Sequence, residues 1–256
     1  MKIQEIVQII EDVAPLSYQE SYDNSGLIIG SYDDEVSGIL ICLDSTEDVV
    51  DEAISTGCNL IVAHHPILFT GLKKLNGNSY IERTILKAIK NDIAIYAAHT
   101  NLDNAYQGVN YKLAEKIGLK KCKTLSPKGN LLKKLVVFCP VSYAEEVKKA
   151  MFNQGAGSIG NYSECSFNST GEGTFKAGEQ ATPFVGAKNE QHQEEEVKIE
   201  VVVQSFQLAK VVVAMSDMHP YEEVAYDVYA IENEMSNIGS GLIGELEEEI
   251  DELEFL

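Results

Sequence analysis

The sequence predicts an α/β protein with a mostly parallel sheet flanked by helices, followed by a ferredoxin-like α+β domain. Three observations support this. Residues 1–125 alternate short apolar runs with stretches whose apolar residues have helical spacing. A turn-rich stretch, SPKGN at 126–130, interrupts that pattern. The residues after it follow the order strand, helix, strand, strand, helix, strand, which is that of a ferredoxin-like module.

The first half of the chain has the pattern of repeated βαβ units. The predicted elements are, in order, helix 2–13, strand 38–43, helix 45–57, strand 59–63, helix 79–92, strand 93–98 and helix 108–119. Ser45 and Asp48 have the spacing of a capping box at the start of the second helix. Because each strand is followed by a helix long enough for a crossover, we expect a largely parallel sheet.

The second half predicts four strands backed by helices on one face. Strands are expected at 133–140, at the end of the glycine-rich stretch 155–167, at 197–204 and at 223–231. Helices are expected at 142–155 and 207–217. The polar, glycine-rich stretch 168–196 is expected to be a loop or a hairpin. The predicted domains are therefore 1–127 and 128–234, followed by a tail at 235–256. Seven acidic residues lie between 245 and 254, so we expect that part to be solvated.

Composition excludes several classes of function. The apolar share of 45% and the charged share of 23% are typical of a soluble globular protein. A net charge of −20 repels nucleic acid and acidic membrane surfaces, so we expect neither as a partner. The N-terminus is not a secretory signal, and we expect a cytoplasmic protein. Five scattered cysteines without a CxxC pair do not indicate a disulfide framework or a zinc–thiolate site.

The stretch NLIVAHHPILF contains the most informative residues. His64 and His65 stand at the carboxyl end of the predicted strand 59–63. Ligands of open α/β sheets bind beyond this edge. Consecutive side chains of an extended segment point in opposite directions, so we expect each imidazole to bind a different ion of a metal pair. A surface or hydrogen-bonded histidine pair is the alternative.

Further polar residues follow the neighbouring predicted strands. His99 and Asp103 come after strand 93–98, and Asp44 comes after strand 38–43. Imidazole and carboxylate ligands without thiolate suit zinc, manganese or iron. His99 is a catalytic candidate, or it could orient a ligand from outside the coordination sphere. Asp44 is better explained as a helix N-cap or a solvated turn residue. His192 lies in the polar stretch and is expected to be exposed.

Three motifs together resemble the GTP cyclohydrolase 1 type 2 family, whose members are also described as dinuclear-metal-centre proteins. They are YQESYDNSGLIIG, IVAHHPILF and AHTNLDNAYQGVNYKLAEKIGL, and they span most of residues 18–119. MHPYEEVAYDVY at 218–229 looks like the signature of the PII-like domain that is inserted in longer members.

The resemblance implies a set of site residues. His64 and His65 would each bind one of two divalent ions, with Asp103 as a further ligand and His99 beside the site. Glu20, Asp23 and Asn24 match a motif near the metal cleft, without an assigned role. His219 belongs to the motif of the insert and is expected to be structural or to form an interface. The resemblance further implies a homohexamer with its metal sites facing an inner cavity.

The sequence departs from the family pattern after the insert. Family members continue with an α/β segment that supplies a further His and Glu to the metal site, and this sequence has no such segment before its end at Leu256. We therefore expect a longer member cut after its insert, with incomplete metal ligation. The expected function is that of a metal-dependent hydrolase acting on GTP or another small phosphorylated substrate. The alternative is a non-catalytic metal-binding regulatory protein with a PII-like sensing domain.

Overall fold

The computed structural model describes residues 1–255 and divides them into two compact units. One unit comprises residues 1–128 together with the segment that begins at Met235, and the other comprises Gly129–Glu234. Both units combine β-sheet with α-helices, as the sequence predicts. No helix within residues 1–255 is long and apolar enough to cross a membrane.

The first unit is built on a four-stranded sheet. Its strands are β1 (Gly26–Ile29), β2 (Ile39–Asp44), β3 (Leu60–His65) and β4 (Ala94–Ala97), and their order in the sheet is β1-β4-β3-β2. Strands β2, β3 and β4 are parallel, and β1 is an antiparallel edge strand. The prediction of a mostly parallel sheet is therefore confirmed, although β1 was not foreseen.

Helices cover both faces of this sheet. They are α1 (Ile3–Val13), α2 (Glu47–Thr56) and α3 (Tyr80–Lys90). On one face Ile61 and Ile95 pack with residues of α2 and α3, and on the other face Leu60 and Tyr96 pack with residues of α1. These alternating strand residues are fully buried, which accounts for the continuously apolar sequence of the strands.

Two short helices and a two-stranded ribbon complete the first unit. The helices are α4 (Thr100–Asn104) and α5 (Val109–Lys116), and the ribbon pairs β5 (Lys120–Lys128) with β10 (Met235–Glu245) in antiparallel fashion. The start of the predicted acidic tail is thus a strand. Short helix α8 (Glu252–Phe255) follows it.

The second unit has the ferredoxin-like order of elements. They are β6 (Leu132–Pro140), α6 (Ala144–Asn153), β7 (Ser166–Lys176), β8 (Gln191–Gln204), α7 (Leu208–Met218) and β9 (Tyr226–Ala230). The sheet order is β7-β8-β6-β9 with antiparallel neighbours throughout. Both helices pack on one face, where valines and isoleucine of β8 meet Val147, Met151, Val211 and Met215. Much of the predicted loop 168–196 consists of the two arms of the β7–β8 hairpin.

Candidate metal centre

Three neighbouring strands deliver polar side chains to one edge of the first sheet. His64 and His65 are the last two residues of β3, and Asp44, which is paired in register with His65, is the last residue of β2. His99 follows β4 and precedes α4. The carboxyl ends of parallel strands lie at a common edge, and the residues predicted to share a crevice do lie there.

The imidazoles of His64, His65 and His99 form a compact cluster. Their ring centroids are 4.9 Å apart for His64 and His65, 5.2 Å for His64 and His99, and 5.5 Å for His65 and His99. One ring nitrogen of each lies within 4.8 Å of the others, so this group could hold a metal ion. The adjacent histidines therefore converge. Simple alternation along an extended strand does not describe the last two residues of β3.

Each imidazole is oriented by a hydrogen bond at Nδ1. His64 Nδ1 donates to the carbonyl oxygen of Ala98 at 2.9 Å, because a carbonyl can only accept. His65 Nδ1 lies 2.8 Å from Asp44 Oδ1, and His99 Nδ1 lies 2.8 Å from Asp23 Oδ1. With a proton on Nδ1, a neutral imidazole has its lone pair on Nε2. In metal-binding histidines, a hydrogen bond at the nitrogen that does not bind the metal fixes the orientation of the ring in this way.

Asp23 is the best-anchored carboxylate near the cluster. Its side chain is fully enclosed, and it accepts hydrogen bonds from the backbone amide and hydroxyl of Thr100 and from Ser25 Oγ, besides its contact with His99. Burial alone would raise the pKa of Asp23, but the hydrogen bonds from His99, Thr100, Asn24 and Ser25 outweigh it and lower the pKa to about 2. Asp23 is therefore ionised and holds His99 in place.

Asp103 approaches the cluster from helix α4. Its Oδ1 lies 3.8 Å from Nε2 of His64, which is too long for a direct hydrogen bond. Burial raises the pKa of Asp103, and the nearby Asp23 adds to this effect, whereas His64, His99 and His65 oppose it. Burial outweighs the opposing effect of the histidines, so further positive charge beside this carboxylate would be favourable. A divalent cation between the carboxylate and the imidazoles would supply that charge.

The donor set fits a divalent transition metal. Among the side chains described for residues 1–255, none donates to or accepts from Nε2 of His65 or His99 at hydrogen-bond distance, so both nitrogens are available. Two nitrogens on one zinc ion are at most about 4.2 Å apart, twice the usual zinc–nitrogen distance. A spread of up to 4.8 Å is compatible with one ion after a small ring rotation, or with a bridged pair. Three imidazoles and a carboxylate suit zinc, manganese or iron.

The structure gives Asp44 a role that the sequence did not favour. The N-cap of α2 is Thr46, whose Oγ1 accepts from the amide of Val49 at 3.3 Å, so Asp44 is not the cap. The predicted capping box beginning at Ser45 is wrong by one residue. Asp44 instead contacts His65 Nδ1. A carboxylate one strand away can orient an imidazole only if the register matches, and local sequence does not reveal that register.

Glu20 and Asn24 support the site from outside the cluster. Glu20 Oε1 accepts from Asn104 Nδ2 at 2.7 Å and from Ser240 Oγ at 2.9 Å, so it connects the N-terminal segment with α4 and β10. Asn24 Nδ2 donates to the carbonyl oxygen of Leu68 at 2.7 Å, which secures the loop that follows the two histidines. Strand β10 thus stabilises the segments around the cluster, and no sequence pattern predicted this contact.

The remaining two histidines lie outside the cluster, in the second unit. His219 is buried, donates from Nε2 to the carbonyl oxygen of Phe138 at 2.9 Å and accepts at Nδ1 from the amide of Tyr221. Both nitrogens are used, so His219 is structural. His192 lies on β8, half-buried beside Phe175, with Nε2 2.9 Å from Glu194 Oε2. The expectation that His192 is solvent-exposed in a loop is wrong, because it lies on a strand and its side chain is 29% exposed.

Curated relatives and solved structures similar to this chain have consistent names. A GTP cyclohydrolase 1 type 2 homolog from Halalkalibacterium halodurans is 46% identical over 253 residues, which are 98% of this chain and 68% of the relative. The homolog from Bacillus subtilis is 43% identical over the same shares. A crystal structure of a Bacillus cereus protein related to NIF3 matches with a TM-score of 0.84 and 46% identity. The match covers 100% of this chain and 68% of the chain in that structure.

A second solved structure and a family comparison agree with this result. A Staphylococcus aureus protein has a TM-score of 0.69 at 32% identity, over 100% of this chain and 66% of its own. The sequence model of Duf34/NIF3, described as NGG1p interacting factor 3, matches residues 1–256. The relationship that the three motifs predict is confirmed, and the chain belongs to the Duf34/NIF3 family.

Proposed function

We propose that the chain is a metal-dependent hydrolase that acts on a nucleotide or a related small phosphorylated substrate, as a GTP cyclohydrolase 1 type 2 enzyme would. The observation that carries this proposal is the convergence of three imidazoles whose Nδ1 atoms are all hydrogen-bonded. Bringing three polar rings this close together costs desolvation free energy, which a site that binds nothing would not recover.

His64, His65 and Asp103 are the proposed metal ligands. A divalent ion held there supplies positive charge that polarises the group under attack and makes water more acidic. His64 and His65 offer Nε2, and Asp103 offers a carboxylate that partial burial has already removed from bulk water. We propose two ions, one for each adjacent histidine, with zinc, manganese or iron as candidates. The spread of the nitrogens is compatible with that number.

His99 is the proposed proton carrier. Its Nδ1 is bound to the enclosed carboxylate of Asp23, and its ring is only 14% exposed. An ionised carboxylate behind an imidazole stabilises the charged form that arises when Nε2 takes up a proton. If His99 were instead a third metal ligand, replacing it would remove metal. A general base can be replaced with the metal content unchanged, so the two roles are distinguishable.

The ring of Phe69 is a candidate contact for the base of a nucleotide substrate. Its ring is 52% exposed and lies edge-on to His99, with a centroid distance of 5.6 Å and an interplanar angle of 86°. An exposed aromatic ring beside His99 is suited to stacking against a planar purine. Relatives named as GTP cyclohydrolase 1 type 2 homologs support GTP as the first substrate to assay.

The second candidate function is that of a metal-binding regulatory protein whose ferredoxin-like unit senses a ligand. A cavity of about 920 Å³ within residues 129–234 favours this alternative, because it is large enough for a small molecule. For the assembly in either case, we propose a cytoplasmic homo-oligomer with the hexameric form of the family. It rests on the family relationship, and sedimentation measurements would test it.

Elemental analysis of the purified chain, followed by a GTP turnover assay, tests the proposed function. We expect transition metal at about two ions per chain, lost in a His64→Ala, His65→Ala double variant and retained in a His192→Ala control. Metal-dependent hydrolytic opening of the guanine ring of GTP by the wild type, and not by the double variant, would support the hydrolase. Metal that binds without any turnover would favour the regulatory alternative, and metal unchanged by the double variant would contradict both.

A further inference from the structure

The second unit contains a cavity that the metal centre does not explain. It has a volume of about 920 Å³, and its walls come from residues 169–178 of the hairpin arm, from the loop at 180–184, from β8 and from residues 221–225. On β8, Val197 and Ile199 face the helices, so Glu196 and Lys198 lie on the opposite face of the sheet, where the cavity is. This volume falls within the range of small-molecule sites.

Two glycines in the middle of β7 create the space. Gly171 is paired with Glu196 and Gly173 with Glu194, so both glycines share the cavity face of the sheet. A Cβ on Gly173 would lie 2.2 Å from Oε2 of Glu196, whereas a Cβ on Gly171 would meet nothing within 4 Å. Glycine weakens a strand interior and often marks a place where another group approaches closely. Here Gly173 accommodates the Glu196 carboxylate, and Gly171 leaves the cavity open.

Aromatic rings line the same space. Phe175 and Phe184 both lie near Tyr221, with ring centroids 6.1 Å and 6.3 Å from that of Tyr221. Phe184 is held in turn by an edge-on contact with Tyr143 at 5.6 Å. All three rings line the cavity, and aromatic faces can attract ammonium-type cations.

Carboxylates are placed among these rings. The hydroxyl of Tyr221 donates to Glu196 Oε1 at 3.0 Å, and Glu222 and Glu223 also line the cavity. Lys176 and Lys198 also line the cavity, and Lys198 lies 3.5 Å from the Glu200 carboxylate, which offsets its charge. Burial and the neighbouring Glu196 raise the pKa of Tyr221, so its phenol stays protonated and keeps donating.

The HPYEE motif explains how the cavity is built. His219 fixes the backbone of Tyr221, Tyr221 reaches Glu196, and Glu222 Oε1 accepts from the amide of Thr182 at 2.6 Å. The motif therefore ties the 180–184 loop to the sheet around the open space. Its histidine is structural, and its tyrosine and acids provide the lining.

We propose that this cavity is a binding site for a small organic cation, such as an amine, a guanidinium or a quaternary ammonium compound. Aromatic faces and carboxylates both attract positive charge, and the glycines of β7 leave room for the ligand beside Glu196. All residues of this site lie in the second unit, and none of them belongs to the metal centre.

Nuclear magnetic resonance titration of the full chain with tetramethylammonium tests this proposal. We expect saturable shifts of the ring signals of Phe175, Phe184 and Tyr221. Gly171→Val should weaken binding by at least about tenfold, because its side chain would enter the cavity without a backbone clash. Phe184→Ala should weaken it about fivefold. Phe184 is 50% exposed, so this variant should fold.

Controls distinguish recognition of positive charge from non-specific hydrophobic binding. Phe167→Ala removes a ring of β7 that is 68% exposed and outside the cavity wall, and it should leave the titration unchanged. Glu196→Gln, which keeps a partner for Tyr221, should weaken tetramethylammonium binding. Equal affinity for the neutral analogue tert-butyl alcohol would overturn the proposal. So would tighter binding of inorganic phosphate, or affinities unchanged by Gly171→Val and Phe184→Ala.

Discussion

The enclosed carboxylate of Asp23 lies 2.8 Å from Nδ1 of His99 and also accepts from the amide of Thr100, the first residue of helix α4. One side chain in the N-terminal segment thus fixes both an imidazole of the cluster and the helix that carries Asp103. The orientation of the site depends on a residue more than seventy positions away from the histidine it holds.

Replacing Asp23 by Asn should weaken the site without unfolding it. The amide keeps the size of the side chain but loses the charge that orients and supports His99. We expect a loss of about 10- to 100-fold in metal affinity or in turnover. Competition with a chromogenic chelator would measure the affinity. Asp33→Asn, at a side chain that is 80% exposed, is the matched control. Equal metal affinity and turnover in the two variants would show that Asp23 does not support the site.

Acid should destabilise the wild type through Asp23 more than it destabilises the Asn variant. The folded-state pKa of about 2 lies below the ordinary value of 3.8. The carboxylate therefore contributes stability above about pH 4, and this contribution is lost as the pH falls towards 2. Urea unfolding between pH 2 and 6, with chelator present, should show a steeper acid dependence for the wild type. Parallel curves would contradict the assignment.

Phe69 can be converted into a reporter of substrate binding. The chain has no tryptophan, so Phe69→Trp introduces a single indole next to His99. If a purine stacks there, GTP should quench the indole fluorescence in a saturable way, and inorganic triphosphate should not. Phe167→Trp, on β7 in the second unit, is the control for quenching by nucleotide in solution. Equal quenching of the two variants would remove Phe69 from the substrate site.

Gly239 should be indispensable for the β5–β10 ribbon. Its φ is +146°, and an added Cβ would lie 2.1 Å from the carbonyl oxygen of Ser126 on the facing strand. We expect Gly239→Ala to lower the free energy of unfolding by about 1–3 kcal/mol. Gly129→Ala, where a Cβ meets nothing within 4 Å, should have a much smaller effect. Chemical denaturation of both variants checks this difference.

The sequence pattern was sufficient to predict those elements that depend only on neighbouring residues in the chain. The apolar runs before His64 and His99 predicted buried strands, and the helical periodicities predicted the crossovers. Together these place the histidines at one sheet edge. Strand β5 could not be found this way, because KKCKTLSPK has neither an apolar run nor regular alternation. Its partner β10 lies more than a hundred residues later, and no local signal connects the two.

The roles of Asp23 and Asp44 could not be predicted from the sequence for a related reason. Both carboxylates orient histidines across gaps in sequence, and such contacts depend on strand register and loop path. The convergence of His64 and His65 also escaped prediction, because the two rings do not follow the alternation of a regular strand. Orientation within the cluster is thus a tertiary property, whereas membership of the cluster follows from the strand ends.

The β5–β10 ribbon has a consequence for how such a chain can evolve. Lys128 and Met235 are partners across the two strands, so the polypeptide leaves the first unit and returns to it at neighbouring positions. Everything between them occupies the place of a hairpin turn. A gene could gain, lose or exchange that whole module at a small cost in loop-closure entropy, with the histidine cluster inherited intact.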